Sequence, residues 1–145
     1  MTFSMARPKY VVVDTNVWVA LHHEDDALHN KARQLFAQFD ERGVTAVVTD
    51  YIIQEVFSVT SRVSNQEDAM AFYDYIVGLK RVETIDVNSF LLRRVVQFIR
   101  VRGLTKPLGL IDYSIIFFAE FVDCPIASFD KQLVQSAKKL GVMTW

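Results

Sequence analysis

Four acidic residues in this sequence either end an apolar run or interrupt one. They are Asp14, Glu55, Asp112 and Asp130. An ionised carboxylate in apolar surroundings is costly, so it normally pairs with a cation, becomes neutral or binds a metal. Hard divalent cations are held by several carboxylate oxygens at once. The four acids together therefore predict one shared pocket for a divalent metal and, with it, a metal-dependent hydrolase.

Each acid taken alone also has a simpler explanation. Asp14 and Asp130 follow apolar runs and precede predicted helices, where an aspartate commonly caps the helix. Asp112 stands where a first-turn acid is favoured by the helix dipole, and this explanation is as good as a functional one. Glu55 would have mostly apolar neighbours on its helix, so a solvated role explains it poorly. The functional interpretation depends on the set, because four independent caps have no need to meet.

The composition indicates one well-packed domain, predicted to cover residues 1–145. Hydrophobic residues make up 51% of the 145 residues, and the formal net charge is -1. Without a general basic field, a nucleic-acid substrate has to be held by a local basic patch. The single cysteine, Cys124, excludes an intrachain disulfide and fits a reducing compartment. The first residues lack a signal-peptide pattern and Glu120 breaks the apolar run 115–122, so we expect a cytoplasmic protein.

Short apolar runs and helical periodicities alternate along the chain. The predicted strands cover residues 10–14, 44–49, 82–87, 125–128 and 142–145. The predicted helices cover residues 16–22, 26–40, 50–62, 64–79, a segment after residue 88, 109–122 and 131–140. Residues 103–107 are predicted to form a loop. Strands that alternate with helices predict a parallel sheet covered by helices on both faces.

Capping side chains and apolar stripes define the middle helices of this prediction. Asp50 is a candidate cap for the third helix, Ser64 with Glu67 forms a capping-box pattern for the fourth, and Asn88 can cap the fifth. The residues predicted to face inward from the fourth helix are Met70, Tyr73, Ile76 and Val77. Those predicted to face inward from the fifth are Leu91, Leu92, Val95 and Ile99.

This fold would bring the four acids to one edge of the sheet. Ligands of open parallel sheets bind outside the carboxyl ends of the strands. Asp14 and Asp130 lie at such ends, and Asp112, near the start of a helix, should lie at the same edge. Glu55 falls about one turn into the helix after the second strand. We therefore expect the four carboxylates to converge on one crevice, although they are far apart in sequence.

The acidic segments also resemble a known family in their order, their spacing and the total length of the chain. The matching segments are Val12-Val-Asp-Thr-Asn-Val17, Gln54-Glu55, Leu110-Ile-Asp-Tyr-Ser-Ile-Ile116 and Ile126-Ala-Ser-Phe-Asp-Lys131. Each motif is weak by itself, but the ordered set covers nearly the whole chain and is fairly specific. The sequence resembles PIN-domain proteins of the VapC-like kind, which are the toxins of toxin–antitoxin pairs.

The resemblance implies a fold, an activity and partners. The expected fold is a three-layer α/β/α sandwich with a central parallel sheet of about five strands. The expected activity is that of a Mg²⁺- or Mn²⁺-dependent endoribonuclease that forms homodimers and has a cognate antitoxin. The residues expected to act in catalysis and metal binding are Asp14, Glu55, Asp112 and Asp130, with Thr15, Asn16 and Ser128 as polar support. Ser128 stands where Thr is common, which keeps a hydroxyl, and Gln132 stands where a further acid often follows.

Basic residues close to the acidic segments are candidates for phosphate contact with RNA. We predict this role for Arg102, Lys106 and Lys131, which flank those segments. The remaining members of the basic cluster are expected on ordinary solvated helix faces; they are Arg93, Arg94, Arg100, Lys138 and Lys139.

The histidines and large aromatic residues have structural explanations. His22 and His23 are adjacent, so a helix would point them in different directions, and together with His29 they are expected to be solvated or structural rather than metal ligands. The spacing of the aromatic residues is that of a core. For Trp18 and Phe57, a dimer or partner surface is equally compatible with the sequence.

The alternatives to a nuclease are a binding module and a phosphoryl-transfer protein, either a phosphatase or a receiver. The main alternative is a PIN-fold binding module that acts through protein–protein contacts without nuclease activity. The intact acidic set argues against it, because a scaffold does not need buried charge. A phosphatase with an aspartate nucleophile would need a second aspartate two residues after Asp14, where Asn16 stands. A phosphoryl receiver would need paired acids after the first strand, which this sequence lacks.

Overall fold

The computed structural model describes residues 8–104 and 108–145 of the chain. Within them, four strands are present: β1 (Tyr10–Val13), β2 (Thr45–Thr49), β3 (Val82–Ile85) and β4 (Ile126–Ala127). The helices are α1 (Thr15–His22), α2 (His29–Arg42), α3 (Asp50–Val63), α4 (Gln66–Gly78), α5 (Ser89–Val101), α6 (Leu110–Val122) and α7 (Lys131–Lys139). None of the described helices combines the length and the apolar character needed to cross a membrane.

The strands form one sheet in the order β3-β2-β1-β4, and every pairing is parallel. In the register, Val12 of β1 lies opposite Val47 of β2 and Ile126 of β4. The predicted α/β/α architecture with a central parallel sheet is therefore confirmed, with four strands in place of about five. The segment predicted as the last strand makes only an isolated parallel bridge, between Thr144 and Ile126.

Burial explains why the central strand is so apolar. Val11, Val12 and Val13 are each fully buried, as expected for a strand that is covered by helices on both faces. Trp18 in α1 is also fully buried, and its indole N–H donates to the Val13 carbonyl at 3.1 Å. A partner-surface role for Trp18 is therefore wrong. Phe57 is half-buried.

The start of α3 differs from the prediction by one residue. Thr49, not Asp50, is the cap, because its hydroxyl accepts a hydrogen bond from the Ile52 N–H at 3.2 Å. The Asp50 carboxylate accepts instead from the backbone N–H of Val87 at 3.0 Å. This bond ties the segment after β3 to the start of α3, at the carboxyl edge of the sheet.

The cap of α4 lies one residue after the predicted cap, and this helix buries a different stripe from the predicted one. Asn65 is its cap, since its side chain accepts from the Asp68 N–H at 2.8 Å, so the predicted Ser64–Glu67 capping box is wrong. Of the residues predicted to face inward only Ile76 is buried, whereas the exposed fractions of the others are 51% for Met70, 47% for Tyr73 and 55% for Val77. The buried stripe consists of Ala69, Phe72 and Ile76. These residues share one helical face, and the small Ala69 allows close packing against a neighbour.

The cap of α5 was predicted correctly. The Asn88 side chain accepts a hydrogen bond from the Leu91 N–H at 3.0 Å. Val95 is fully buried, but Leu91, Leu92 and Ile99 are only half-buried. The helix therefore covers the edge of the core rather than its centre.

Candidate functional site

Each of the four predicted acids lies at or near the start of a helix. Asp14 directly follows β1 and caps α1, and Asp130 follows β4 and caps α7. Asp112 lies in the first turn of α6, and Glu55 lies in the second turn of α3. Helix starts carry partial positive charge and free N–H groups, which favour a carboxylate. The fold thus places Asp14, Asp112 and Asp130 where negative charge is best tolerated.

Strand pairing brings Asp14 close to the β4–α7 connection. The backbone N–H of Asp14 donates to the Ala127 carbonyl at 2.9 Å, which extends the β1–β4 ladder by one bond. The Asp14 carboxylate then accepts from the Thr15 N–H at 2.7 Å and from the Ser128 hydroxyl at 2.6 Å. Two elements that are remote in sequence therefore hold this one carboxylate.

Burial controls the protonation of Asp14. The side chain is only 5% exposed, and loss of hydration raises its pKa from 3.8 to about 6. The hydrogen bonds from Ser128 and Thr15 favour the ionised form and lower the pKa, but they only partly offset the burial. The charges of Asp112 and Glu55 raise it further. The raised pKa of Asp14 therefore comes mainly from burial, with repulsion by the neighbouring carboxylates as a smaller contribution.

Asp112 and Asp130 complete this cluster. Asp112 is half-buried; burial raises its pKa, and the charges of Asp130 and Glu55 add to the effect, while a hydrogen bond with the Gly109 backbone lowers it. One Asp130 oxygen accepts from the backbone N–H groups of Gln132 at 2.9 Å and Leu133 at 3.3 Å. Since Asp112 interacts with Asp14, Glu55 and Asp130, the structure brings all four acids into one electrostatic unit.

The polar residues predicted beside the acids all contribute to this arrangement. Thr15 donates its hydroxyl to a Glu55 oxygen at 2.7 Å, which links the start of α1 to α3. The Asn16 side chain accepts from the Phe129 N–H at 3.1 Å and donates to the Ser128 hydroxyl oxygen at 3.5 Å. Ser128 also accepts from the Asp130 N–H at 3.0 Å. These bonds fix the orientation of the carboxylates on neighbouring elements.

The donor set fits a hard divalent cation, because it offers carboxylate and hydroxyl oxygens and the repulsion among the acids would be relieved by positive charge. Within residues 8–104 and 108–145, however, no three His, Cys, Asp or Glu side chains are already arranged to hold a metal ion. Asp14, Glu55 and Asp130 accept hydrogen bonds from the protein instead. Direct coordination by three acids therefore requires side-chain rotation, and the metal site stays a prediction.

The basic residues predicted for RNA contact have different surroundings. The Arg102 guanidinium forms an ion pair with Glu120 at 2.5 Å and lies over the Phe98 ring, 5.3 Å from its centre. Lys106 lies outside the described residues. Lys131 is exposed and is the first residue of α7, directly after Asp130. Of the three, Lys131 has the clearest position next to the acids.

This region also contains a lysine that the sequence does not single out. Lys31 of α2 lies over the ring of Phe129, with 5.2 Å from its ammonium nitrogen to the ring centre. Phe129 stands between Ser128 and Asp130. Nothing in the sequence near Lys31 marks it, since it is one of several charged residues on an amphipathic helix.

The three histidines have structural contacts, as predicted. His22 bonds to the Asp68 carbonyl at 3.2 Å, His23 to the Thr60 hydroxyl at 3.3 Å and His29 to the Ala20 carbonyl at 2.8 Å. His22 and His23 bond to different helices, α4 and α3, as their expected difference in direction requires, but their ring centres are still 5.3 Å apart in an edge-to-face arrangement. The C-terminal end of α1 makes this possible, since His23 lies past the last helical residue.

The fold is similar to that of several solved structures. One is Mycobacterium tuberculosis VapC20, described as a sarcin–ricin-loop-cleaving toxin, with a TM-score of 0.76 and 18% identity over 93% of this chain and 98% of the other. A second is Rickettsia felis VapBC2 bound to a promoter DNA fragment, with a TM-score of 0.63 and 16% identity over 94% and 97%. A third is FitAcB of Neisseria gonorrhoeae, with a TM-score of 0.61 and 12% identity over 93% and 96%. At these identities the similarity concerns the fold.

The sequence itself provides the evidence for the family. No curated protein matches the chain. The sequence model of the PIN domain family, however, matches residues 11–139, which include all four acids of the cluster and the strands that position them. The chain therefore belongs to the PIN domain family.

Proposed function

We propose that this protein is a Mg²⁺- or Mn²⁺-dependent endoribonuclease, formed by one PIN-like domain over residues 1–145. The observation that supports this most is the electrostatic unit of Asp14, Glu55, Asp112 and Asp130 at the carboxyl edge of a PIN sheet. Buried carboxylates that repel one another cost stability, so a protein retains them where a cation or a reaction needs them.

The four acids would hold the metal, and the hydrogen bonds determine how each is presented. When bound, a divalent ion supplies activation of water and stabilisation of the charge that develops in phosphodiester cleavage. Thr15 keeps the Glu55 carboxylate oriented by its 2.7 Å hydrogen bond, and Ser128 does the same for Asp14 at 2.6 Å. Partners of this kind orient metal ligands and raise metal affinity.

For RNA, contact would come from basic residues around the acids. Lys131 is the best placed of those predicted from the sequence, because it follows Asp130 and is exposed. Arg102 would have to share its guanidinium between a phosphate and Glu120, with which it is paired. Lys106 keeps the role that the sequence predicts for it. With a net charge of -1, the protein depends on such local contacts for binding RNA.

The biological role that fits best is that of the toxin in a type II toxin–antitoxin pair. The similar folds include a toxin named for cleaving the sarcin–ricin loop, as well as VapBC2 and FitAcB. We infer a cognate antitoxin as partner, a homodimer as the active assembly and the cytoplasm as its location. A gene for a small DNA-binding protein next to this one would support the antitoxin partner.

Cleavage of structured RNA with and without a chelator tests the activity. The wild-type protein should cleave RNA with Mg²⁺ or Mn²⁺, and EDTA should stop cleavage. Asp14→Asn should abolish cleavage, whereas Asp74→Asn, which makes the same charge change on the exposed side of α4, should not.

A thermal-shift titration with Mn²⁺ separates the nuclease from a PIN-fold binding module. An ion that binds only the folded state raises the melting temperature as its concentration rises. The wild-type protein should gain stability, and Asp14→Asn should gain much less. If the folded protein neither gains stability from Mn²⁺ nor cleaves RNA, the nuclease hypothesis is refuted and the binding-module hypothesis remains.

A further inference from the structure

The contact between Lys31 and Phe129 joins α2 to the loop that carries two residues of the acidic cluster. Lys31 is exposed in the first turn of α2, and Phe129 is half-buried after β4. Their 5.2 Å separation is within the range at which a cation is attracted to the face of an aromatic ring. The ring thus restrains a long, flexible side chain that would otherwise move freely in solvent.

Phe129 is itself tied to the acidic cluster. Its backbone N–H donates to the Asn16 side chain at 3.1 Å, so the residue is held from the start of α1. Its neighbours on either side are Ser128, which donates to Asp14, and Asp130. Because Phe129 is fixed to these groups, the ammonium of Lys31 is held over the ring of the residue that separates Ser128 from Asp130.

Lys31 is also free to bind an anion. Among the described residues the sole ion pair is that of Arg102 with Glu120, so no carboxylate neutralises Lys31. An RNA backbone that approaches four carboxylates is repelled by them, and a cation at the rim offsets this repulsion. An exposed ammonium group held over Phe129, and not in an ion pair among the described residues, offers such a cation.

We propose that Lys31 is a substrate-binding residue, whose ammonium group, positioned on the Phe129 ring, contacts a backbone phosphate of RNA next to the cleaved one. This assignment rests on the proposed ribonuclease function and extends it to α2. Phe129 is a positioning residue, since it acts through Lys31.

The experiment compares Lys31→Ala with Arg33→Ala in Mn²⁺-dependent RNA cleavage. Arg33 is the matched control, because it is exposed on the same helix and carries the same charge, but it lines a different cleft with His22 and Tyr75. Lys31→Ala should raise KM about fivefold and leave kcat within about twofold, as expected for loss of uniform binding. Lys31→Arg should restore KM, and Arg33→Ala should leave it unchanged.

The salt dependence of RNA binding provides a readout that a structural role would not affect. The slope of log Kd against log salt should fall by about 0.7 in Lys31→Ala, since one contact to a single strand is lost. Phe129→Leu keeps an apolar side chain but removes the ring. The double variant Lys31→Ala/Phe129→Leu should be no worse than Lys31→Ala, because the ring acts through the lysine.

The outcomes distinguish this assignment from the function on which it rests. If Lys31→Ala and Arg33→Ala change KM and the salt slope equally while the wild type cleaves RNA, the assignment is overturned and the nuclease stands. Failure of the folded wild-type protein to cleave RNA with Mn²⁺ overturns both. A KM effect confined to Lys31, with rescue by arginine, supports the assignment.

Discussion

Replacement of Asp14 by Asn should make the metal-free protein more stable at neutral pH, although it removes a central residue of the proposed metal site. Burial raises the Asp14 pKa from 3.8 to about 6, so the ionised form is disfavoured in the folded state. At about 1.4 kcal/mol per pKa unit, this difference corresponds to about 3 kcal/mol of destabilisation at pH 7. Asn has nearly the same shape without the charge.

Part of this gain is offset by hydrogen bonding. Asn can still accept from the Thr15 N–H, but its amide group has to replace a carboxylate oxygen that accepts from Ser128. A hydrogen bond to a charged group contributes about 1.5–3 kcal/mol, so we expect a net gain of up to about 1.5 kcal/mol. For a chain of this length the upper end of that gain corresponds to an increase of about 4–5 °C in melting temperature.

The pH dependence gives the sharper test. An acid whose pKa is raised in the folded state destabilises the protein when it is ionised. Its contribution to stability is therefore complete below the pKa of the unfolded state and is lost as pH rises through the pKa of the folded state. For Asp14 this window runs from 3.8 to about 6. The stability advantage of Asp14→Asn should therefore be largest at pH 7 and shrink as the pH falls towards 4.

The assay is urea or thermal unfolding of the metal-free proteins between pH 4 and pH 7.5, with Asp74→Asn as the control for a change of net charge. Asp74 is exposed on α4, so its variant should match the wild type within about 0.5 kcal/mol. An Asp14→Asn variant that is equally or less stable than the wild type at pH 7, without any trend in pH, would refute this account of the buried charge.

Three further substitutions test other parts of the structure. Thr15→Val removes the hydroxyl that orients Glu55, so Mn²⁺ affinity in a calorimetric titration should fall about tenfold with little change in melting temperature; an unchanged affinity would contradict this role. Ser128→Ala removes the hydroxyl that donates to the buried Asp14 carboxylate, so the free energy of unfolding should fall by about 1–2 kcal/mol at pH 7 and by less near pH 4. Ser128→Thr keeps the hydroxyl and should match the wild type in urea unfolding. Trp18→Ala should cost about 3–5 kcal/mol of unfolding free energy, and a small effect would mean that this fully buried ring is not part of the core.

The sequence predicted the order of the elements well but the inward face of a peripheral helix poorly. The strand β1 is recognisable because three consecutive valines suit only a position buried on both faces. In α4, by contrast, two apolar stripes compete, and the chain buries Ala69 and Phe72 while Met70 and Tyr73 remain exposed. Helical periodicity cannot choose between adjacent stripes, because the choice depends on which residues fit a neighbouring helix.

By itself, the sequence indicated that Asp14, Asp112 and Asp130 lie at strand ends or helix starts and that Glu55 lies about one turn into a helix, since apolar runs and caps are local patterns. Only the tertiary structure decided how these groups are held. Ser128 donates to Asp14 across 114 positions and Thr15 donates to Glu55 across 40, and neither spacing has a local signature. The same is true of Lys31 in α2, whose ammonium group lies over the ring of Phe129 after β4. Contacts between distant elements follow from packing, and packing is a property of the whole chain.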